Sequence, residues 1–320
     1  MLFTKQDELL REKDSEEPYR RRKDEEKKSI SWGQRKLLLT LVSFLSNHLE
    51  SFTNRYVILY TGAAPGVNIG IVAQLFPNVT FHCYDPSSFK IKTDLKKRII
   101  VYQKKFTDEL AHYWSKIQEK DRNIYLVSDI RTADYTKTES LAENEKQIMS
   151  DMELQKRWVE IIKPCKAHLK FRLPYTIPNL PLEIEYFDGI LYKQPYAPST
   201  STETRLVVDL TDGLKYKKYS CEKYQSQMFY HNIVIREKWT YDNEYMDEPE
   251  ILNDFDSCCE ISIWKDYLRF SSVSDENINK ESVIALTRKA TKLLTKGRKY
   301  SDTLSYLREN PQAIKKRNFN

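Results

Sequence analysis

Apolar positions along the chain follow two periods. From Trp32 to Leu49 (WGQRKLLLTLVSFLSNHL) they recur at helical spacing, which predicts an amphipathic helix. From Tyr56 onward, short apolar runs take turns with helical stretches. Tyr56–Tyr60 (YVILY), Val79–Tyr84 (VTFHCY), Arg98–Tyr102 (RIIVY), Ile124–Ser128 (IYLVS) and Ala167–Arg172 (AHLKFR) read as strands. Val67–Phe76, Thr107–Lys120 and Glu139–Ile162 read as the helices between them. This rhythm builds a mainly parallel sheet with helices on both faces. The predicted fold is therefore α/β, a Rossmann-like doubly wound sheet with terminal helical extensions. Ligands in such sheets sit at the carboxyl ends of the strands. Ile184–Tyr192 and Thr204–Asp209 read as further strands, antiparallel at the edge. Lys217–Trp239, rich in Tyr and Lys, reads as helical, and so does Glu281–Lys296.

Charge refines the boundaries. Residues 1–30 mix both signs, with Arg20, Arg21, Arg22 and Lys23 followed by Asp24, Glu25, Glu26, Lys27 and Lys28. Such a run buries little apolar surface and predicts a solvated helix or a mobile arm. The expected organisation is an arm over 1–30, a principal domain over 31–240, and an extension over 241–320 packed on that domain. The net charge is only +6, from 52 Lys and Arg against 46 Asp and Glu, so location matters more than size. The last forty residues hold ten Lys or Arg against three Asp or Glu. In a helix Arg288, Lys292 and Lys296 lie four apart on one face, and Ile284, Leu286, Leu293 and Leu294 supply an apolar side. Such a face suits an RNA backbone or a protein partner, and equally a plain solubilising surface.

Five cysteines without a C-x-x-C pair argue against a disulfide framework or a structural zinc site, and for a reducing compartment. The five histidines form no metal-ligand array. No stretch reaches the ~18 apolar residues a membrane span needs. The expectation is a soluble, intracellular protein.

Glycine is scarce, with 7 in the chain, yet Gly62, Gly66 and Gly70 fall within nine residues. They belong to a strand, a G-A-A-P-G loop, a helix, and a second strand ending in Asp85. This is not the dinucleotide G-x-G-x-x-G. Glycines four apart let backbone approach a nucleoside without a pyrophosphate to wrap, and a strand-end acid accepts both ribose hydroxyls. Together these suit S-adenosyl-L-methionine. A tight turn with glycine for packing and Asp85 as a helix cap would read the same way. Asp129, in V-S-D-I-R, falls beside a cofactor's reactive end, or caps a helix or pairs with Arg131. Lys170 sits inside a strand-like stretch, where lysine is rare unless paired or functional. Lys36 interrupts the first helix beside its apolar stripe. Either lysine fits a snorkelling surface role as well.

Five blocks carry a resemblance: W-G-Q-R-K-L-L-L at 32–39, Y-T-G-A-A-P-G at 60–66, L-V-S-D-I-R at 126–131, L-K-F-R-L-P-Y at 169–175, and Q-P-Y-A-P-S-T-S-T-E-T-R-L at 194–206. In this order they resemble the poxvirus-type cap-specific mRNA (nucleoside-2′-O-)-methyltransferases, which are also regulatory subunits of the viral poly(A) polymerase. The likeness spans most of residues 15–240 and is poor over the final sixty. It implies methyl transfer from S-adenosyl-L-methionine to the ribose 2′-hydroxyl of the first transcribed nucleotide of capped mRNA. It also implies a poly(A) polymerase catalytic subunit as partner and a virion or host-cytoplasmic setting.

The family's K-D-K-E tetrad falls on Lys36, Asp129, Lys170 and Glu203. Lys170 is then the general base and Lys36 a second positive charge, with Asp129 and Glu203 orienting the amines and Arg131 and Arg205 bracing the acids. A lysine in that role must be neutral when it acts, which a nearby ammonium and a sulfonium favour. The implied cofactor pocket is Gln34, Tyr60, Gly62, Gly66, Asp85 and Asp129, with Ser87 replacing a family arginine. The cap guanine would stack between Tyr175 and Tyr19. The two family acids that hold its edge stand here as Ile177 and Gln225. Arg172, Ser201 and Thr202 would meet the first nucleotides. Two other functions stay open: a binding-only polymerase subunit, and an internal-RNA 2′-O-methyltransferase of the FtsJ type, which shares fold and tetrad. Q-P-Y-A-P-S and Tyr175 argue against the latter; the altered acids argue for it.

Overall fold

The computed structural model describes residues 1–22, 25, 27–91, 98–121, 123–132, 140–245, 247–248, 251–272, 278–295, 297, 299, 302–303 and 305–306. The chain divides into two compact units. One holds Met1–Phe52, Lys193–Ser201 and Met228–Asn320; the other holds Thr53–Tyr192 and Thr202–Gln227.

The second unit is the doubly wound sheet. Strands β1 (Tyr56–Thr61), β2 (Val79–Tyr84), β3 (Ile99–Tyr102), β4 (Ile124–Ser128) and β5 (Lys166–Phe171) are parallel. With β7 (Ile190–Tyr192) and β8 (Thr204–Asp209) they take the order β3-β2-β1-β4-β5-β8-β7, and β8 runs antiparallel to both its neighbours. Every residue of β4, and all but one of β1, is buried, as expected of apolar strands covered on both faces. Helices α2 (Val67–Leu75), α3 (Asp108–Asp121) and α4 (Leu141–Ile162) make the crossovers. Right-handed crossovers that run outward in both directions from β1 and β4 put α2 on one face and α3 and α4 on the other. Asp108, at the start of α3, accepts from the indole of Trp158 (3.0 Å) and pairs with Arg157 (3.1 Å), tying α3 to α4. The order reverses between β1 and β4, which opens a crevice at their carboxyl ends.

Two expectations fail here. Ile184–Tyr192 is not one strand. It splits into β6 (Glu183–Phe187), which joins a separate two-stranded sheet, and β7. The break is Gly189, where a Cβ would lie 2.3 Å from the Val207 carbonyl oxygen. The partner of β6 is β9 (Tyr216–Ser220), so the helix expected from Lys217 starts only at Cys221. Tyr219 anchors that strand, donating to the Phe187 carbonyl at 2.7 Å. From there α5 (Cys221–Tyr230), a π-type turn (His231–Ile235) and α6 (Arg236–Lys238) continue the expected helix to Trp239.

The first unit is helical. In it α1 (Gly33–His48) and α8 (Lys280–Leu294) both pack on α7 (Phe255–Ser271). Arg35 is fully buried at their centre. Its guanidinium donates to both Glu260 oxygens (Nε–Oε2 2.7 Å) and to Thr291 Oγ1 (2.9 Å), and lies over the Trp32 ring at 4.8 Å. The charged N-terminus is not wholly solvated. Glu8 is buried, paired with Lys5 at 2.8 Å and bonded by Ser262, and Leu10 is buried near it in sequence. Charge can be buried when paired and hydrogen-bonded, which a count of charges does not reveal. The buried stripe of α8 is Val283, Ile284, Thr287, Ala290, Thr291 and Leu294, while the expected core residue Leu293 is exposed. Arg288 stands 3.6 Å from Glu248; Lys296 and Arg298 lie outside the described residues. Among the described residues no helix is long and apolar enough to cross a membrane.

Glu260→Ala leaves the Arg35 charge buried without its carboxylate and should cost about 3–5 kcal/mol in urea unfolding. Arg35→Met combined with Glu260→Leu should recover most of that loss. A Glu260→Ala cost under ~1 kcal/mol would show the pair to be dispensable.

Candidate active site

At the crevice the turn after β1 meets the turn after β4. Gly62 N and Ala63 N donate to the Tyr84 carbonyl (2.9 and 3.3 Å), and Asp129 N donates to the Thr61 carbonyl (2.9 Å). Gly62 has φ +74, and a methyl there would lie 2.6 Å from Ile130 N and 2.7 Å from the Asp129 carbonyl carbon. Only glycine admits that approach. Gly66, at φ +75, faces Ile91 at 2.6 Å in the same sense. Gly70 has nothing within 4 Å and a helical φ, so the glycine cluster mixes two required positions with one permissive one.

Asp85 ends β2 as expected. Its Oδ2 accepts from Ala64 N (3.1 Å) and its Oδ1 from Ser87 N (2.8 Å), so the acid clamps the glycine loop. Each carboxylate oxygen has a second lone pair for a ligand hydroxyl. The hydroxyls of Thr61 and Ser128 are buried at the ends of β1 and β4, and no described residue bonds them. Tyr60 is buried; burial first, then the Asp129 carboxylate, push its phenol above the usual range and keep it neutral. A close-packed glycine turn, a half-buried acid and unmet buried hydroxyls fit a nucleoside-bearing ligand.

Next to it lies a four-charge cluster. Lys170 Nζ is 3.1 Å from Asp129 Oδ1 and 3.5 Å from Glu203 Oε2. Arg205 NH2 is 2.7 Å from Asp129 Oδ1 and 3.3 Å from Glu203 Oε1. Topology explains the meeting. Asp129 follows β4, Lys170 is one residue from the end of β5, and Glu203 precedes the antiparallel β8, which enters at that edge with Arg205 opposite Lys170. Burial alone would lower the Arg205 proton affinity, but Asp129 and then Glu203 more than offset it and raise it. The guanidinium is permanently charged. The lysine side chain is 18% exposed, against 1% for Arg205, so a substrate reaches the amine and not the guanidinium.

A third group surrounds Tyr175. Arg172, buried, donates to Glu145 Oε1 (2.9 Å) and Thr202 Oγ1 (3.3 Å), and its guanidinium lies 4.4 Å from the Tyr175 ring centroid. Gln225 Oε1 accepts from Thr176 N at 3.0 Å. Ile177 is half-buried. The remaining expected residues belong to the helical unit. Gln34 and Lys36 lie in the first turn of α1, both half-buried, and no described residue bonds the buried Gln34 Oε1. Tyr19 is exposed, its ring edge-on to Phe229 at 5.4 Å, and the Ser201 carbonyl accepts from Asn232 at 2.8 Å.

Sequence reasoning missed Glu145 and Asp151. Asp151 accepts from Thr132 N (2.8 Å) and Oγ1 (2.7 Å), fixing the turn that starts at Asp129. The signal was there: both acids fall in register with Met152, Val159 and Ile162 on the buried stripe of α4.

A doubly wound sheet with a glycine turn and a charge cluster at its switch point defines a Rossmann-like α/β protein. A family model described as "Poly A polymerase regulatory subunit" matches residues 4–289, wider than the five blocks alone. The chain belongs to that family. Among its relatives is a fowlpox virus (strain NVSL) cap-specific mRNA (nucleoside-2′-O-)-methyltransferase, 30% identical over 236 residues, which are 67% of this chain and 70% of that one. A myxoma virus (strain Lausanne) protein of the same description is 28% identical over 238 residues, 69% and 67% of the two chains. Solved structures with slight likeness include human methyltransferase-like protein 13 in complex with SAH, with TM-score 0.28 and 12% identity over 67% of this chain and 96% of that one. Another is a Thermotoga maritima UDP-glucose 4-epimerase, with TM-score 0.22 and 19% identity over 33% and 32%.

The two kinds of glycine predict opposite effects. Gly70→Ala should raise stability by about 0.5–1 kcal/mol, because its helical backbone suits alanine and nothing lies within 4 Å of the added methyl. Gly62→Ala should lower it by more than about 1 kcal/mol, because its backbone cannot adopt φ +74 without strain and its Cβ meets backbone. Paired thermal melts check both signs.

Proposed function

We propose that the chain methylates the ribose 2′-hydroxyl of the first transcribed nucleotide of capped mRNA, using S-adenosyl-L-methionine. The observation that carries this is the Lys170 amine held between two carboxylates at the carboxyl edge of β5, beside the glycine turn. The family and the relatives' descriptions support the same chemistry.

The cofactor supplies an electrophilic methyl on a sulfonium. This chain's residues do the rest. Asp85 accepts the ribose hydroxyls while it holds the loop through Ala64 N. Gly62 and Gly66 let backbone lie close to the nucleoside, with Gln34 and Tyr60 as further polar contacts. Lys170 would accept the proton of the RNA 2′-hydroxyl. Asp129 and Glu203 aim the amine and stabilise it once protonated, and Arg205 holds both acids in place. Lys36 supplies the second positive charge. Tyr175 and Tyr19 take the cap guanine, and Ser201 and Thr202 meet the nucleotides that follow. At one departure from the family pattern Gln225 serves as a local backbone support, accepting from Thr176 N.

The family's description favours one further role, support of a poly(A) polymerase catalytic subunit, which one chain can combine with methyl transfer. Its poxvirus relatives favour a viral protein of the virion and host cytoplasm.

Lys170→Ala should reduce methyl transfer by about 10²–10⁴-fold with cofactor affinity near wild type; near-normal turnover removes Lys170 as base. Asp85→Ala should weaken cofactor binding by about 1–3 kcal/mol in calorimetry. Matched RNAs, capped and uncapped, with labelled methyl donor decide the substrate. Equal transfer to both favours internal RNA, and transfer to neither leaves polymerase support as the activity.

A further inference from the structure

β5 ends at Phe171, and the residues after it carry Tyr175 in irregular backbone. That backbone is nonetheless fixed. Glu145 of α4, wholly buried, accepts from Tyr175 N at 3.0 Å. Gln225 of α5, also buried, accepts from the next amide, Thr176 N, at 3.0 Å. Arg172 closes the set from the same loop, with one nitrogen on Glu145 at 2.9 Å, another on Thr202 at 3.3 Å, and its guanidinium 4.4 Å from the Tyr175 ring centroid. At that distance the guanidinium lies over the ring and covers one of its faces.

We propose that Arg172 acts on RNA only through Tyr175. With Glu145 and Gln225 it sets the ring as a one-faced stacking platform, and its charge contacts no phosphate. This rests on the cap methylation proposed above, and it replaces the expectation that Arg172 touches the first transcribed nucleotides. Two physical facts carry it. The Arg172 side chain is 10% exposed and its charge is matched by Glu145, which is 0% exposed, so little of it is left for a solvated RNA backbone. An aromatic ring on a loop ordinarily loses backbone and rotamer freedom when a base stacks on it. Here the two held amides and the stacked guanidinium have already removed that freedom on folding. A base stacks on the uncovered face alone.

The test is the ratio of kcat/KM on capped to uncapped RNA, read first on wild type. A wild-type ratio near one removes the cap proposal on which the inference rests. Given a wild-type preference, Arg172→Ala should lower the ratio between about fivefold and a hundredfold, the range a base–aromatic stack is worth. Tyr175→Ala should do the same, and the double variant should fall no further. Arg172→Lys should behave like Arg172→Ala, because an ammonium cannot make the planar stack. The salt slope of RNA binding should stay at its wild-type value in all of them. A capped preference that survives Arg172→Ala overturns the inference. So does rescue by lysine, or a slope flattened by about 0.7, since both mark a phosphate contact. A merely structural role would lower both RNAs by one factor and leave the ratio unchanged, which overturns it too. If Arg172→Ala fails to fold, Arg172→Met with Glu145→Gln leaves no lone buried charge and carries the same test.

Discussion

A guanidinium taken out of water must be surrounded by acceptors and by opposite charge, and Arg205 imposes that demand on the candidate site. Its two acids are Asp129 and Glu203, both within 3.3 Å of one guanidinium nitrogen. Held by it, Asp129 shares its Oδ1 between Arg205 and Lys170, and Glu203 turns its other oxygen to Lys170. Charge therefore alternates outward from the core: guanidinium, carboxylates, amine, then solvent. Arg205, at 1% exposed, is closed to a substrate, while the other three charges keep an accessible edge. Reversing β8 relative to the parallel strands is what makes this possible, because it delivers Glu203 and Arg205 to the edge where the parallel strands end.

The parallel half of the sheet was legible because each of its strands is a short apolar run bounded by a turn, and the intervening helices keep a clear period. Of the antiparallel part only β8, Thr204–Asp209, was. Whether Ile184–Tyr192 continues or breaks depends on how closely Gly189 approaches the Val207 carbonyl, a contact made only in three dimensions. The Y-K-K-Y stretch of β9 carries helix-friendly lysines, and its strand state comes from pairing with β6. In the site, Lys170 announced itself as a charge within a strand, and Asp85 and Asp129 as acids at strand ends. Glu145 and Asp151 were hidden by the opposite habit: an acid on a helix is read as solvated, and only its register with the apolar stripe shows otherwise. Paired burial of Glu8 escaped notice for the same reason.

The most distinctive string, Q-P-Y-A-P-S, has an architectural explanation within the helical unit. Tyr196 sits at φ 57, buried, with its amide on Asp256 (3.1 Å) and its carbonyl accepting from Trp32 N (2.9 Å) at the head of α1. The Ala197 carbonyl takes Arg236 at 2.9 Å. A left-handed tyrosine is costly and persists only where its surroundings over-determine it. Its ring also borders the Arg35 guanidinium at 5.6 Å, so this string and the first helix share one support. Rarity in a sequence can thus mark a backbone constraint as readily as a reacting group.

Gln225 holds Thr176 N through its carbonyl oxygen. A carboxylate oxygen in the same place would accept the same bond. The acid that the resemblance puts at this position and the amide found here are therefore equivalent as far as the loop is concerned. They differ in charge and in what they offer a base edge. A lineage can pass between them in a single step that the backbone does not register, so taste for a ligand can drift and return while the architecture stays still.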